Sequence, residues 1–213
     1  MSVSEYENEP IRGLPEYLPA GERLLWQGEP SKKLMALRVF HVRKVGIYLA
    51  ALFAIHLFMQ FRSGGSLTDI LLGSSWMLGL AAAGVGILAG LSYIYARSTV
   101  YTITDKRVVL RFGVAMPMMV NLPLSVITSA DMKRYGDGSG DVILTAAKRK
   151  RLSYMLLWPN IKPWTFNPVS PSLRCLDDVD AVAQCLAQAA SAMGSEDSLE
   201  DDQPMDEGLL AAS

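Results

Sequence analysis

The side chains that most often perform acid–base and metal chemistry are scarce in this chain of 213 residues. It has two histidines, His41 and His56, and both precede residues 97–193, which contain none. Cys175 and Cys185 do not form a CxxC pair and have no neighbouring histidine, so they give no zinc or redox signature. No serine–histidine–aspartate arrangement, paired-carboxylate motif or phosphate-binding loop stands out. Because histidine is the most common general base, the sequence predicts a non-enzymatic protein without a metal site.

Two long apolar runs predict a transmembrane helical hairpin. Half of all residues are hydrophobic and the mean hydropathy is +0.21, which is high for a soluble protein. Residues 45–61 carry no formal charge and would form a helix of about 25 Å, near the short end of a membrane span. Residues 70–96 form a longer second run, and residues 62–69 form a short loop between the two. We therefore predict transmembrane helices at 45–61 and 70–96.

The distribution of basic residues predicts the orientation of this hairpin. Basic residues precede the first run and follow the second, whereas Arg62 lies in the short loop. Since Lys and Arg are enriched in cytoplasmic loops, both termini are predicted in the cytoplasm, with residues 62–69 on the opposite side of the membrane. Residues 1–44 then form a cytoplasmic segment with a short strand and a basic amphipathic lead-in, and residues 194–213 an acidic disordered tail. The basic residues before the first run are Lys32, Lys33, Arg38, Arg43 and Lys44.

After the second run, the hydrophobic period changes from that of a helix to that of a strand. In the stretch YTITDKRVVLRFG, residues 101–113, apolar and polar residues alternate on both sides of a turn at Asp105. A second hairpin is predicted around residues 137–140 and a further strand at 151–157. Residues 97–193 therefore favour an antiparallel β-sheet domain.

The end of this domain has the pattern of a helix. Residues 177–193 place apolar side chains at helical spacing, with Asp177 or Asp178 as the cap and Gly194 as the expected end. Several strands followed by one amphipathic helix predict a small antiparallel β barrel or sandwich closed by a C-terminal helix. The whole chain is therefore predicted to be a membrane α+β protein, in which a two-helix hairpin precedes this domain.

Small residues form a stripe along the second predicted helix, and the last two make a GxxxG motif. In a membrane, small residues let helix backbones approach closely, because the hydrophobic effect does not drive helix association there. Two alternatives remain open. The stripe packs against the first helix of the same chain, or it contacts a second copy or a partner helix. The helix-packing residues are Gly79, Ala83, Gly86 and Gly90.

Two features of the predicted cytoplasmic domain indicate contact with lipid or a partner. Residues 148–151 form the densest basic run, where each contact with an anionic headgroup would contribute about 1 kcal/mol. The alternative is a solvated hairpin end. Two tryptophans flank a Pro-containing loop, which suits a partner surface or the membrane interface, with packing over the open end of a barrel as the alternative. The basic run is too short to predict nucleic-acid binding. The candidate contact residues are Lys148, Arg149, Lys150, Arg151, Trp158 and Trp164.

A set of short motifs is scattered between about residues 10 and 190. They are Gly13-Leu14-Pro15-Glu16, Pro19-Ala20-Gly21-Glu22, Leu25-Trp26-Gln27-Gly28, Phe40-His41, Asn121-Leu122-Pro123, Asp137-Gly138 with Gly140-Asp141, Leu157-Trp158-Pro159 and Leu173-Arg174. Together with the order of elements, these motifs resemble the bacterial pleckstrin-homology-like membrane proteins, and among them the PuhB family of photosynthetic complex assembly proteins of purple bacteria. Many relatives have a histidine after the Trp-Pro pair, whereas Asn160 stands here, so no ligand role is assigned to it.

The resemblance implies a pleckstrin-homology-like fold for residues 97–193 and an assembly factor rather than an enzyme. Proteins of that family are membrane proteins that self-associate and help to build the reaction centre and its core light-harvesting ring. The implied partners are reaction-centre and core light-harvesting subunits, membrane lipids and a second copy in a homodimer, all in the photosynthetic membrane. The alternative function is a general membrane-anchored scaffold that binds anionic lipid headgroups. An enzyme with a pocket hidden from the sequence is a third class.

His56 lies within the first predicted span, where histidine is uncommon and usually functional or paired. Imidazole is a natural axial ligand for the magnesium of a bacteriochlorophyll, so one hypothesis is transient pigment binding during assembly, without a permanent cofactor. The alternatives are a hydrogen bond to the neighbouring helix, or a position near the membrane interface, because Arg62 follows six residues later. The sequence shows no group that would orient the imidazole of a pigment ligand.

Overall fold

The computed structural model divides the chain into two compact units. One unit contains residues 29–99 and 112–117, and the other contains residues up to 28, residues 100–111 and residues from 118 onward. The structure describes residues 12–14, 16–64, 66–114, 117–146, 160–161 and 170–201.

Several predicted features lie outside the described residues. They are the basic run Lys148, Arg149, Lys150 and Arg151, the two tryptophans Trp158 and Trp164, and the strand predicted at 151–157. These remain predictions.

The unit of residues 29–99 and 112–117 is built on two long helices. Helix α1 (Lys32–Leu34) continues into a π-helical turn (Met35–Val39), which is followed by α2 (Val42–Arg62) and α3 (Leu67–Ser98). Gly64 has a φ of +80°, a left-handed conformation that glycine adopts without strain, and it lies where the chain reverses between α2 and α3. Asp69 lies in the first turn of α3, where the helix dipole favours a carboxylate.

Both α2 and α3 are long and apolar enough to cross a membrane. At 1.5 Å per residue, the 21 residues of α2 and the 32 of α3 measure about 32 and 48 Å, against a hydrocarbon core of about 30 Å. Their large apolar side chains are exposed, and Phe58, Leu72 and Ile87 have exposed fractions of 62%, 70% and 63%. Water would disfavour these side chains, so the two helices indicate membrane association.

The second unit contains two antiparallel sheets. The first has the strand order β1 (Leu24–Gly28), β2 (Val100–Thr104), β3 (Arg107–Phe112) and β4 (Met118–Pro123). The second has the order β5 (Ile127–Arg134), β6 (Gly140–Ala146) and β7 (Ser172–Leu176). The predicted hairpins are confirmed: Tyr101 pairs with Leu110 across the turn at Asp105, and Arg134 pairs with Gly140 across the second turn. All five residues of β2 are buried, because β2 lies between β1 and β3.

Helix α4 (Val179–Asp201) lies against strands of both sheets, near β1, β2, β5 and β6. Asp178 is its cap, since its Oδ1 accepts the Ala181 N–H at 3.0 Å. Val179, Val182 and Leu186 are at most 4% exposed and form the apolar face of the helix. The predicted helix end at Gly194 is wrong, because α4 continues through it to Asp201. A glycine inside a helix costs only about 1 kcal/mol relative to alanine, and no proline follows to stop the helix there.

Of the predicted barrel or sandwich, a closed barrel is not observed in the described residues, which form two separate sheets. The break falls between β4 and β5. Pro123 ends β4 without a backbone N–H to donate, and a 3-10 turn (Leu124–Val126) follows before β5 begins. The described residues therefore form two long apolar helices and two antiparallel sheets.

Candidate functional site

The stripe of small residues on α3 faces outward from the hairpin. Gly79, Ala83, Gly86 and Gly90 are all exposed, and a Cβ added at any of the three glycines would meet nothing within 4 Å. At about 100° per residue, the four positions fall within about 60° of one helix face. The stripe therefore does not contact α2 within the described residues.

The opposite face of α3 packs against α2. Ile70, Ser74 and Ser92 are 6%, 1% and 2% exposed, and they lie about 150–170° around the helix from the centre of the stripe. Of the two alternatives for the stripe, the geometry favours contact with another chain over packing on the protein's own first helix.

His56 is half-buried on α2, and its Nε2 atom has no hydrogen-bond partner among the described residues. Ser74 Oγ on α3 is also buried without a partner in the described part of the chain. His56 lies about 9 Å along α2 from the end at the loop, and Ser74 lies about 10 Å along α3 from its end at the same loop. The two residues therefore lie at similar depths in the hairpin. Buried polar atoms in a membrane are costly unless they are paired. His56 and Ser74 are therefore two such polar groups, at similar depths on facing helices of the hairpin.

An apolar groove of about 280 Å³ lies between α2 and α3, near the loop that joins them. It is lined by Leu57, Phe58, Phe61, Ile70 and Leu71. A hydrophobic group could occupy this groove, but its lining offers no charged or hydrogen-bonding side chain to orient a ligand. Pigment ligation by His56 stays a prediction, and a pigment would have to reach an Nε2 atom that is buried.

In the second unit, a partly buried ion pair holds the segment before β1 to the β2–β3 hairpin. Arg107 donates from Nε to Glu22 Oε1 at 2.7 Å and from Nη2 to Oε2 at 2.9 Å. The Thr104 hydroxyl lies 2.7 Å from Glu22 Oε1 and accepts the Arg107 N–H at 3.0 Å. The Glu22 side chain is 4% exposed. Thr104 and Arg107, two polar residues of the stretch YTITDKRVVLRFG, therefore have a structural role, and this arrangement assigns no chemistry to them.

A second buried polar cluster links the two sheets. Tyr101 on β2 donates its hydroxyl to Asn160 Oδ1 at 2.7 Å and accepts the Arg174 N–H, from β7, at 3.2 Å. Asp141 on β6 accepts the N–H of Cys175 at 2.8 Å, and its other oxygen lies 3.7 Å from Arg174 Nε. All five residues are at most 8% exposed. We call this group the inter-sheet cluster.

The inter-sheet cluster contains residues from motifs that are far apart in the sequence. Asp141 and Arg174 belong to the Gly140-Asp141 and Leu173-Arg174 motifs, Asn160 follows Trp158-Pro159, and Tyr101 opens the first hairpin. Burial raises the pKa of Tyr101, so its hydroxyl stays neutral and serves as a hydrogen-bond donor and acceptor. This cluster was not predicted from the sequence. Its signal was polar residues inside otherwise apolar strands, within motifs that the resemblance had already singled out.

Comparison with known proteins decides the family. A family model described as a bacterial PH domain matches residues 39–190. The chain belongs to this family. Over 193 residues it is 33% identical to an uncharacterized 23.7 kDa protein in the puhA 5′ region of Rhodobacter capsulatus, with 90% of each chain covered. That similarity confirms the predicted resemblance and is consistent with a PuhB-like protein.

The bacterial PH domain match includes α2, α3 and the strands from β2 to β7, since it begins at residue 39, after β1, and ends within α4. A crystal structure of a DUF1696 family protein with a pleckstrin-homology domain, from Shewanella loihica PV-4, is also similar. The identity is 13%, the TM-score is 0.29, and the match covers 43% of this chain and 71% of that chain.

Proposed function

We propose that this bacterial PH domain protein is a non-enzymatic assembly factor for the photosynthetic reaction centre and its core light-harvesting complex. The observation that carries the proposal is the 33% identity, over 90% of both chains, to a protein from the puhA 5′ region. Because this similarity covers 90% of both chains, it supports a common architecture for the two proteins.

In this proposal, α2 and α3 cross the bacterial inner membrane and both termini lie in the cytoplasm. The basic residues before α2 and after α3, compared with Arg62 between them, support this orientation. The two sheets then form a cytoplasmic pleckstrin-homology-like domain that α4 closes. Its strands and the inter-sheet cluster give a rigid surface for holding subunits, and the protein needs no catalytic group for that role.

The outward stripe on α3 is the proposed docking face for transmembrane helices of partner subunits or of a second copy. Small residues allow such helices to approach closely and to bury van der Waals surface that lipid tails pack less well. His56 would contribute transient pigment binding on the hairpin, if a pigment is delivered together with the subunits.

The experiment is affinity purification of the tagged full chain from photosynthetic membranes in mild detergent, followed by detection of reaction-centre and core light-harvesting subunits. Wild type should retain these subunits, and Gly86→Leu should lose most of them. Gly73→Leu is the matched control, because Gly73 is also exposed with nothing within 4 Å of an added Cβ. It lies about 140° around α3 from Gly86. If wild type retains no photosynthetic subunit, the proposed function is wrong and a general membrane-anchored scaffold becomes the better account.

A further inference from the structure

The two ends of the helical hairpin differ sharply in charge. At the end where α2 begins and α3 ends, the chain carries six basic residues, which we call the basic collar. At the other end, the residues around the loop carry one base and one acid, Arg62 and Asp69. Glu29 and Asp69 are the two acidic residues in the sequence of this unit. The basic collar consists of Lys32, Lys33, Arg38, Arg43, Lys44 and Arg97.

We infer that the basic collar binds the phosphate groups of anionic phospholipids. The inference rests on the proposed membrane insertion of α2 and α3, and it assigns lipid binding to a surface distinct from residues 148–151. Because the collar belongs to the same compact unit as the two apolar helices, it would lie at headgroup level whenever those helices are in the bilayer.

Three collar side chains are available to a ligand. Lys33, Arg43 and Lys44 are exposed, and none of them makes an ion pair within the part of the chain that the structure describes. Cations close to an anionic surface each strengthen attachment, and their contributions fall as salt rises. The three side chains therefore offer charge to a headgroup without breaking an existing contact.

Aromatic rings at the same end fit the boundary between headgroups and acyl chains. Lys32 Nζ lies 5.3 Å from the centroid of the Tyr93 ring, and the Phe40 and Tyr95 rings have centroids 6.2 Å apart. Tyrosine is enriched at membrane interfaces because its ring is apolar and its hydroxyl is polar. The cation–π contact also fixes Lys32 against α3, so this part of the collar is held in place.

The start of α2 adds a second reason for a bound anion. Arg43 and Lys44 lie in the first turn of α2, which contains no acidic residue, and His41 makes no side-chain cap. The positive end of the helix dipole and these two cations repel one another, and the first N–H groups of the helix have no partner inside it. A phosphate at this position would reduce the repulsion and accept hydrogen bonds from those N–H groups.

The test measures lipid binding to the purified full chain in detergent, by native mass spectrometry. The titrants are phosphatidylglycerol and phosphatidylcholine with identical acyl chains, at low salt and at about 0.5 M salt. The collar variant is Lys33→Gln/Arg43→Gln/Lys44→Gln. The matched control is Arg23→Gln/Lys106→Gln/Lys133→Gln, which removes the same charge from exposed positions of the sheet unit. Circular dichroism checks that both variants are folded.

We expect wild type and the control to prefer phosphatidylglycerol at low salt and to lose much of this preference at high salt. The collar variant should bind phosphatidylglycerol about a hundredfold more weakly, from about fivefold per basic residue. Equal binding of both lipids by wild type, or an equal loss in both variants, would overturn the inference. Release of phosphatidylglycerol by millimolar inorganic phosphate would also overturn it, because the site would then take a free anion. The assay contains no photosynthetic subunit, so its result is independent of the assembly role.

Discussion

The Glu22–Arg107 ion pair should contribute far more to stability than an exposed ion pair of the same unit. Replacing Arg107 by Met keeps much of the side-chain volume but removes two hydrogen bonds, of 2.7 and 2.9 Å, from a carboxylate whose side chain is 4% exposed. Thr104 then remains as the hydrogen-bond donor to that carboxylate among the described contacts. Leaving a buried charge without its partner costs about 3–5 kcal/mol. Because Arg107 is itself 28% exposed, we expect about 3 kcal/mol.

The reverse substitution should cost less. Glu22→Gln leaves the charge on Arg107, which water can reach, so we expect a loss of about 1–2 kcal/mol. In the double variant Glu22→Gln/Arg107→Met both charges are gone, so neither side chain is left as an unpaired charge. The two losses of stability should therefore not add. We expect a coupling free energy of about 2 kcal/mol between Glu22 and Arg107.

The chain contains its own control for this cycle. Arg134 and Asp180 also form an ion pair, at 3.0 Å, but their side chains are 60% and 36% exposed. An exposed pair contributes about 0–1 kcal/mol. Pulse proteolysis of the full chain in detergent across a urea series would measure all variants in the same way. A Glu22–Arg107 coupling no larger than that of Arg134–Asp180 would refute the reasoning from burial.

Three further predictions concern other elements. Gly140→Ala should destabilise the sheet unit by about 2 kcal/mol or more, because a Cβ at Gly140 would clash with the Lys133 carbonyl oxygen. Gly136→Ala should not, because a Cβ there meets nothing within 4 Å, and chemical denaturation of both variants checks this. Burial raises the pKa of Tyr101 above its ordinary value of 10.0, so this hydroxyl loses its proton at a lower pH in the unfolded chain than in the folded chain. The free energy of unfolding should therefore fall as pH rises above about 10. In Tyr101→Phe the fall should be shallower when stability is measured against pH. His56→Ala should remove any bacteriochlorophyll that co-purifies with the wild-type chain, and retention of the pigment in the absorbance spectrum would exclude His56 as its ligand.

The elements with strong local signals could be predicted from the sequence. Long uncharged runs predict α2 and α3, and the alternation around Asp105 predicts the first hairpin, because these signals come from neighbouring residues. β7 was missed, since it is short, has Arg174 at its centre and places Cys175 at a φ of +56°. Such a strand forms because Asp141, far away in the sequence, accepts the Cys175 N–H.

The candidate site was predictable only in part, for the same reason. The spacing of Gly79, Ala83, Gly86 and Gly90 reveals a stripe, but which face of α3 contacts α2 depends on the packing of Ile70 and Ser74, which no local pattern reports. The inter-sheet cluster depends on topology even more strongly. Tyr101, Asp141 and Arg174 lie on three different strands, and only the arrangement of two sheets brings them together.

The measurement that tests the proposed assembly role most directly is the near-infrared absorbance of membranes from a strain that lacks this gene, beside wild type and a complemented strain. An assembly factor predicts a selective loss of the reaction-centre and core-antenna bands in the deletion strain, restored by the complementing gene, with other membrane proteins unchanged. An unchanged spectrum in the deletion strain would contradict the assembly role.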